Sequence, residues 1–267
     1  MPHKDDNTFN ILFFGDVSGD AGCRALRFML DKLKRTYNAD MVIVNGENSD
    51  KGYGISSESL SMLKQCPIDV ITLGNHAFEK DGADRDIEND PMILRPENFI
   101  DVPGRGYSVY EINGVKVGCG NIHLRSGING VVDCPFKTAD RIVKNLSKIT
   151  PIIFIDAHGE DGCEKEALFM YLKGRISALC GTHTHVQTAD EKIASGTAYI
   201  TDVGMCGASL SVIGGDINSS IRKAKECMPV HIEAVQGKAV VMGVCVSVDI
   251  QSGKSTNIER IYMHETE

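Results

Sequence analysis

No stretch of this 267-residue sequence is apolar for long enough to cross a membrane. The longest, Ala239 to Val248, is about half of the ~20 residues a spanning helix needs, and its β-branched residues with a glycine inside read as a strand. The opening MPHKDDNTF has no apolar segment behind a basic end, so no export leader is expected. The nine cysteines are odd in number, scattered and never spaced C-x-x-C, which reads as buried thiols in a reducing, cytoplasmic compartment. Positive charge is in deficit, 28 Lys+Arg against 36 Asp+Glu for a net charge of −8, and such a surface repels phosphate polymers. That argues against a nucleic-acid-coating protein. There is no G-x-S-x-G elbow and no complete phosphate loop around Gly52-Tyr53-Gly54, which reads as a rim loop, and Cys206 has no paired base nearby. Covalent catalysis is therefore disfavoured. No linker, composition shift or internal repeat divides the chain, so a single domain over 1–267 is expected, β-rich from about residue 229.

What is present is a recurrent motif of short apolar runs ending in glycine and polar residues, as buried parallel strands do where they enter functional loops. Phe9–Phe14 leads into Gly15-Asp16, Met41–Val44 into Asn45-Gly46-Glu47-Asn48, and Val70–Leu73 into Gly74-Asn75-His76. Farther on, Ile152–Ile155 leads into Asp156-Ala157-His158, Ile176–Cys180 into Gly181-Thr182-His183-Thr184-His185, and Ala198–Ile200 into Thr201-Asp202-Val203-Gly204. Amphipathic segments at 22–37, 57–65, 138–147 and 164–172 predict crossover helices. Asn113-Gly114, between two β-rich runs, predicts a type I′ hairpin that turns the middle of the sheet antiparallel. Beyond Pro229, the runs at 231–235, 238–250 and 257–262 predict an antiparallel meander. In such α/β sheets, ligands gather outside the carboxyl ends of the strands, so the loops are expected to converge there.

Of eight histidines, His76, His158, His183 and His185 follow apolar runs directly. Oxygen donors, Asp16, Glu47, Asn48 and Asn75, stand at equivalent strand ends. Mixed imidazole and oxygen donors suit two borderline ions such as Mn, Fe or Zn rather than Mg, Ca or structural Zn. Along a regular strand, His183 and His185 would share one face at period two, letting two neighbouring metals use one loop.

Taken in order, G-D at Gly15-Asp16, G-E-N at Gly46-Glu47-Asn48, G-N-H at Gly74-Asn75-His76, the lone His158 and G-T-H-T-H at 181–185 resemble the motifs of the calcineurin-like metallophosphoesterases. More narrowly the chain resembles their YmdB-like branch of bacterial 2′,3′-cyclic-nucleotide phosphodiesterases, with V-N-G-E-N, L-G-N-H, R-P-E-N-F, G-T-H-T-H-V-Q-T-A-D and A-Y-I-T-D-V-G-M all present. The resemblance implies an α/β fold, a single-domain two-sheet αββα sandwich. It implies that Asp16, Glu47, Asn48 and His185 hold one metal and Glu47, Asn75, His158 and His183 the other, with Glu47 bridging. The cofactors would be two divalent or trivalent transition-metal ions, iron or manganese before zinc. Ser18 stands where the wider superfamily has a histidine, and the branch uses the asparagine of G-E-N instead, here Asn48, whose amide oxygen is a poorer donor than imidazole. His76 would face the substrate and protonate the departing oxygen or hold a phosphoryl oxygen, the other reading being an orienting histidine.

The reaction implied is attack of a metal-bridging hydroxide on a 2′,3′-cyclic nucleotide, giving the 3′-nucleotide. A phosphomonoesterase, an RNA-processing nuclease, or a metal-loaded regulatory protein with vestigial hydrolysis are the alternatives. The expected partner is a small-molecule nucleotide, with no membrane and no stable nucleic-acid complex, and a homo-oligomer is left open.

Overall fold

A computed structural model of the protein describes residues 7–128, 131–227 and 229–265. The opening stretch 1–6, where no leader is expected, lies outside the described residues. The first half comprises β1 (Thr8–Phe14), β2 (Asp16–Val17), α1 (Gly19–Thr36), β3 (Met41–Asn45), α2 (Ser57–Leu63), β4 (Val70–Thr72), α3 (Ala83–Asn89) and β5 (Ile93–Leu94). The hairpin β6 (Tyr107–Ile112) and β7 (Val115–His123) follows, then α4 (Pro135–Leu146), β8 (Ile153–His158), α5 (Gly162–Leu172), β9 (Ala178–Thr182), β10 (Lys192–Ala194) and β11 (Thr197–Ile200). Last come β12 (Met205–Ala208), α6 (Ile217–Glu226), β13 (Ala239–Asp249) and β14 (Ser255–His264).

These strands form two sheets. One has the order β2-β12-β13-β1-β3-β4-β5 with β14 added on β13, and the other is β10-β11-β9-β8-β7-β6. The strands that end in site residues, β1, β3 and β4 in the first sheet and β7, β8 and β9 in the second, pair in parallel, so their carboxyl ends lie together. Period-two alternation on β1 explains the layering. Phe9, Ile11 and Phe13 enter the core between the sheets, where Phe13 meets Phe154 edge-on at 5.0 Å. Leu12 and Phe14 face the other way, onto α1 through Leu26, Leu30 and Leu33. On the far side, α4 and α5 cover the second sheet through Ile142, Leu146, Leu168, Phe169 and Leu172. The layers therefore run helix, sheet, sheet, helix, the expected αββα sandwich.

Two expectations need correction. The hairpin lies at the edge of the second sheet, not its middle, because β6 has β7 as its single neighbour there. Its turn is as expected, with Asn113 at φ 52° and Gly114 at 79°. Of the expected carboxyl-terminal antiparallel meander, the last two strands, β13 and β14, do pair antiparallel, but the run at 231–235 does not join them. β13 pairs antiparallel with β1, β12 and β14, and β1 and β12 take successive residues of β13, 243–249 and 239–241. At that fork the chain leaves β13 at Gly15, and Asp16 pairs in parallel with β12 instead. Residues 231–235 form no strand and make one bridge, Ala234 to Gly215, because they cross over a cavity instead of joining a sheet.

Candidate active site

The crevice at the strand ends receives Asp16 from the β1–β2 fork, Glu47 and Asn48 after β3, and Asn75 and His76 after β4. Across from them, the second sheet contributes His158, the last residue of β8, and His183 and His185 just beyond β9. Gly74 has to be glycine for this meeting to occur. A Cβ there would collide with Glu47 Oε2 and His158 Nε2.

His158 is fully buried at the centre. Its Nε2 lies 2.9 Å from Glu47 Oε1, 3.0 Å from Asn75 Oδ1 and 3.1 Å from His183 Nδ1. Glu47, His158 and His183 each offer one ligand atom, all within 4.8 Å of one another. Asp16 Oδ2 accepts the backbone N–H of His183 at 2.9 Å, and Glu47 Oε2 accepts that of His76 at 3.0 Å. Burial pushes the Asp16 carboxyl up to about 6. For Glu47, burial opposes ionisation, but the neighbouring His158 outweighs it and brings the carboxyl down to about 2. Burial likewise opposes a charge on His158, and Glu47 outweighs it, raising the ring to about 9. A proton on Nε2 thus does, without metal, part of what a cation would do there. Burial, joined by the charge on His158, takes His183 down to about 3, leaving it a neutral lone-pair donor.

The second nitrogen of each ring is also engaged. Thr182 Oγ1 lies 2.9 Å from His158 Nδ1 and donates its own proton to Asp156 at 2.7 Å, so it accepts from the ring. Glu160 lies 3.2 Å from His183 Nε2, and the Ile213 carbonyl 2.7 Å from His185 Nδ1. In His183 and His185 one N–H is given to an oxygen, which leaves the other nitrogen's lone pair for the crevice, the habit of metal-binding histidines, and His158 would do the same once a metal ion replaced the proton on its Nε2. Asn48 does the equivalent with its amide, donating to Gly52 O at 2.8 Å and presenting Oδ1.

Glu47, Asn48, His76, His183 and His185 line one cavity of about 740 Å³, on whose rim the Gly52-Tyr53 turn stands. The expectation for the His183–His185 pair was wrong in its cause. β9 ends at Thr182, and both histidines have positive φ, 102° and 64°, so two left-handed turns and not strand alternation aim them. Among the four arginines that follow or precede these loops, Arg95, Arg105, Arg125 and Arg175, none lines the cavity. Arg95 is instead spent on the carbonyls of Pro96, Pro103 and Gly104, and Arg175 on Asp140.

Sequence reasoning missed several supporting residues. Asp156 is buried beneath His158 and accepts from Thr72, Asn45 and Thr182, and its place two residues before His158 on one strand face was the available signal. Glu79, 2.7 Å from His76 Nδ1, is at i+3 in a turn. His123 ends β7 with its ring between Phe99 at 5.5 Å and His158 at 6.0 Å, and burial pulls it down to about 4. Buried Lys165 and Asp202, 2.9 Å apart, flank the His183 turn.

The donors fit metal ions. Asp16 Oδ1 and Asn48 Oδ1 are buried without a hydrogen-bond donor, which costs roughly 1–3 kcal/mol each if nothing else satisfies them. Around His158 Nε2, three lone-pair atoms compete for one proton where a cation would serve them all. Two facing sheets with acid, amide and imidazole groups gathered at their strand ends define a metallophosphoesterase of the calcineurin-like fold.

The chain belongs to the YmdB-like protein family, whose model matches residues 12–261. A Bacillus subtilis protein named 2′,3′-cyclic-nucleotide 2′-phosphodiesterase is 40% identical over 257 residues, 96% of this chain and 97% of its own. Among solved structures, a phosphatase from Mycoplasma pneumoniae superposes with a TM-score of 0.90 at 34% identity, over 97% of this chain and 94% of that one. A protein from Thermus thermophilus gives 0.89 at 32% identity, over 97% and 100%. No helix among the described residues is long and apolar enough to cross a membrane.

Proposed function

We propose that the chain, acting as one domain in the cytoplasm, is a binuclear metal-dependent phosphodiesterase that opens 2′,3′-cyclic nucleotides to 3′-nucleotides. The observation that carries the binuclear reading is the pair of orphaned acceptors, Asp16 Oδ1 and Asn48 Oδ1, beside the separate cluster around His158 Nε2. Asp16, Glu47, Asn48 and His185 would hold one ion and Glu47, Asn75, His158 and His183 the other, iron or manganese before zinc. Such ions supply a water-derived nucleophile at neutral pH and neutralise charge on the phosphoryl oxygens. The substrate class is that of the Bacillus subtilis relative's name. A cavity of about 740 Å³ is of a size to take a mononucleotide.

The protein's own part in the chemistry centres on His76. Its Nδ1 donates to the Glu79 carboxylate at 2.7 Å, which fixes the ring and leaves Nε2 for the cavity that His76 lines. Opening the ring to a 3′-phosphate breaks the bond from phosphorus to O2′, and that oxygen leaves as a poorly stabilised alkoxide unless it is protonated. In this reading His76 supplies the proton. Metal analysis of the purified protein, with turnover of 2′,3′-cyclic AMP beside an aryl phosphate and RNA, tests the reading. Two equivalents of metal and 3′-AMP as product are expected. Hydrolysis of the monoester or RNA with the cyclic nucleotide untouched would refute it.

A further inference from the structure

Beside the ligands, the cavity also has an apolar lining. Val212, Ile213, Ala224, Ile232 and Ala234 supply it, and it begins next to His185, whose Nδ1 meets the Ile213 carbonyl. Val212 and Ile213 are 40% and 52% exposed there, and apolar side chains left open at a pocket mouth are what a ligand with an apolar face would cover. Tyr53 stands between this cavity and a neighbouring cleft of about 490 Å³, lining both. Its ring is stacked on His231 at 5.3 Å and 25°, and His76 meets it edge-on at 5.2 Å. His231 lines the cleft and not the cavity, so the ring face it leaves uncovered is the one available to the cavity.

The turn that carries Tyr53 is tied to the site on both flanks. Gly52 N donates to Asn48 O at 3.1 Å, the Asn48 amide returns a bond to Gly52 O, and Ala234 N donates to Lys51 O at 3.1 Å. An aromatic ring is thereby held beside His76 in the cavity that the apolar residues also line. The carboxylates and the carboxamide that line the cavity, Glu47, Asn48 and Glu160, belong to the ligand cluster or stand next to it, while Ser220 and Lys223 are the polar side chains that share the cavity with Ala224 on its helix.

We propose that Tyr53 and this apolar lining form the nucleobase subsite, and that it recognises the base by stacking and desolvation, so all four bases are accepted with purines ahead of pyrimidines. The proposal rests on the cyclic-nucleotide reading above. Every base offers a π-face, and stacking on an aromatic side chain is accordingly tolerant of base identity.

The test measures kcat/KM of the metal-loaded protein for the four 2′,3′-cyclic nucleotides and for methyl riboside 2′,3′-cyclic phosphate, which lacks a base. The four nucleotides should fall within about 10-fold of one another. The nucleotide should exceed the abasic compound by about 5- to 150-fold, the usual worth of one stacked base. Tyr53→Phe should keep that ratio and Tyr53→Leu should collapse it. Because His76 serves both substrates, the ratio isolates the base even if Tyr53→Leu disturbs His76. Calorimetric binding of adenosine 3′-phosphate against ribose 3-phosphate should show the same loss without turnover. A ratio unchanged in Tyr53→Leu, or a parent separating the bases by more than 100-fold, overturns the subsite and leaves the activity standing. A parent that cleaves an aryl phosphodiester but no cyclic phosphate overturns the activity, and the subsite with it.

Discussion

His183 and His185 both sit at positive φ, a conformation that costs a non-glycine residue of order 1–3 kcal/mol and persists only where the surroundings over-determine it. The buried pair Lys165–Asp202 provides that determination. Lys165 Nζ donates to the Thr182 carbonyl at 2.8 Å and to Asp202 at 2.9 Å, while Asp202 accepts the Thr184 N–H at 3.0 Å. The pair therefore grips the backbone on both sides of His183. Lys165→Met leaves a carboxylate buried without its cation, a loss of about 3–5 kcal/mol. For a chain of this size that lowers Tm by roughly 6–20 °C, at about 2–4 °C per kcal/mol. Adding Asp202→Asn removes the stranded charge and should return a large part of the Tm, yet it cannot restore the hold on Thr182. Metal affinity should stay down by about 10–100-fold, the usual cost of losing an outer support of a ligand. Differential scanning fluorimetry with and without Mn(II), together with metal content after dialysis, reads the two quantities separately. If metal retention recovers in step with Tm in the double variant, the pair is only a stabilising feature and the reasoning fails.

Glu47→Gln should cost more metal than any other single ligand change, because a bridging carboxylate neutralises both cations and an amide neutralises neither; parental metal content in the variant would refute the bridge. Asn75→Ala should lose one ion. His76→Ala should keep both and lose roughly 10²–10⁴-fold in rate on a nucleotide, and much less on a substrate with an acidic phenol leaving group that needs no proton. Equal slowing of both substrates would show that His76 holds the phosphoryl group instead. In the native protein, iodoacetamide at pH 8 should label the exposed Cys163 and Cys227 first, since burial pushes the Cys23, Cys206 and Cys245 thiols up to about 12. Cys227 lines the cavity, so 3′-AMP should slow its labelling, and peptide mapping by mass spectrometry checks both points.

Much of the sandwich was legible because the strand ends carry their own punctuation. Phe9–Phe14 and Met41–Val44 alternate or run apolar and then give way to Gly15 or to Asn45-Gly46, and the site residues follow within four positions. β7 was harder. Its run to His123 is masked because Gly118 and Gly120 interrupt the apolar pattern inside the strand. Those glycines are there to admit Leu146 and Ile142 of α4, a packing reason invisible in local sequence. His123 was consequently not seen as a strand-end histidine. α6 escaped for the opposite reason: none of its residues is buried, so no core-facing stripe announces it.

What the sequence hid most completely is the support of the site, and the cause is the distance along the chain over which it is assembled. Lys165 falls in an amphipathic helix, where a lysine ordinarily marks the solvated face, and it is buried only because Asp202, 37 residues on, reaches it beneath the His183 turn. The same holds for Asp156, whose three donors come from residues 45, 72 and 182. Ligand types can be read from local sequence because glycine and imidazole at a strand end are a local pattern. The charges that hold those ligands in place arise from pairings between strands and helices of both sheets, and only the folded topology brings them into register. Since a buried charge is tolerated only when paired, each such pair ties the ligand loops to the correct fold, and loss of one member should unsettle the site and the stability together.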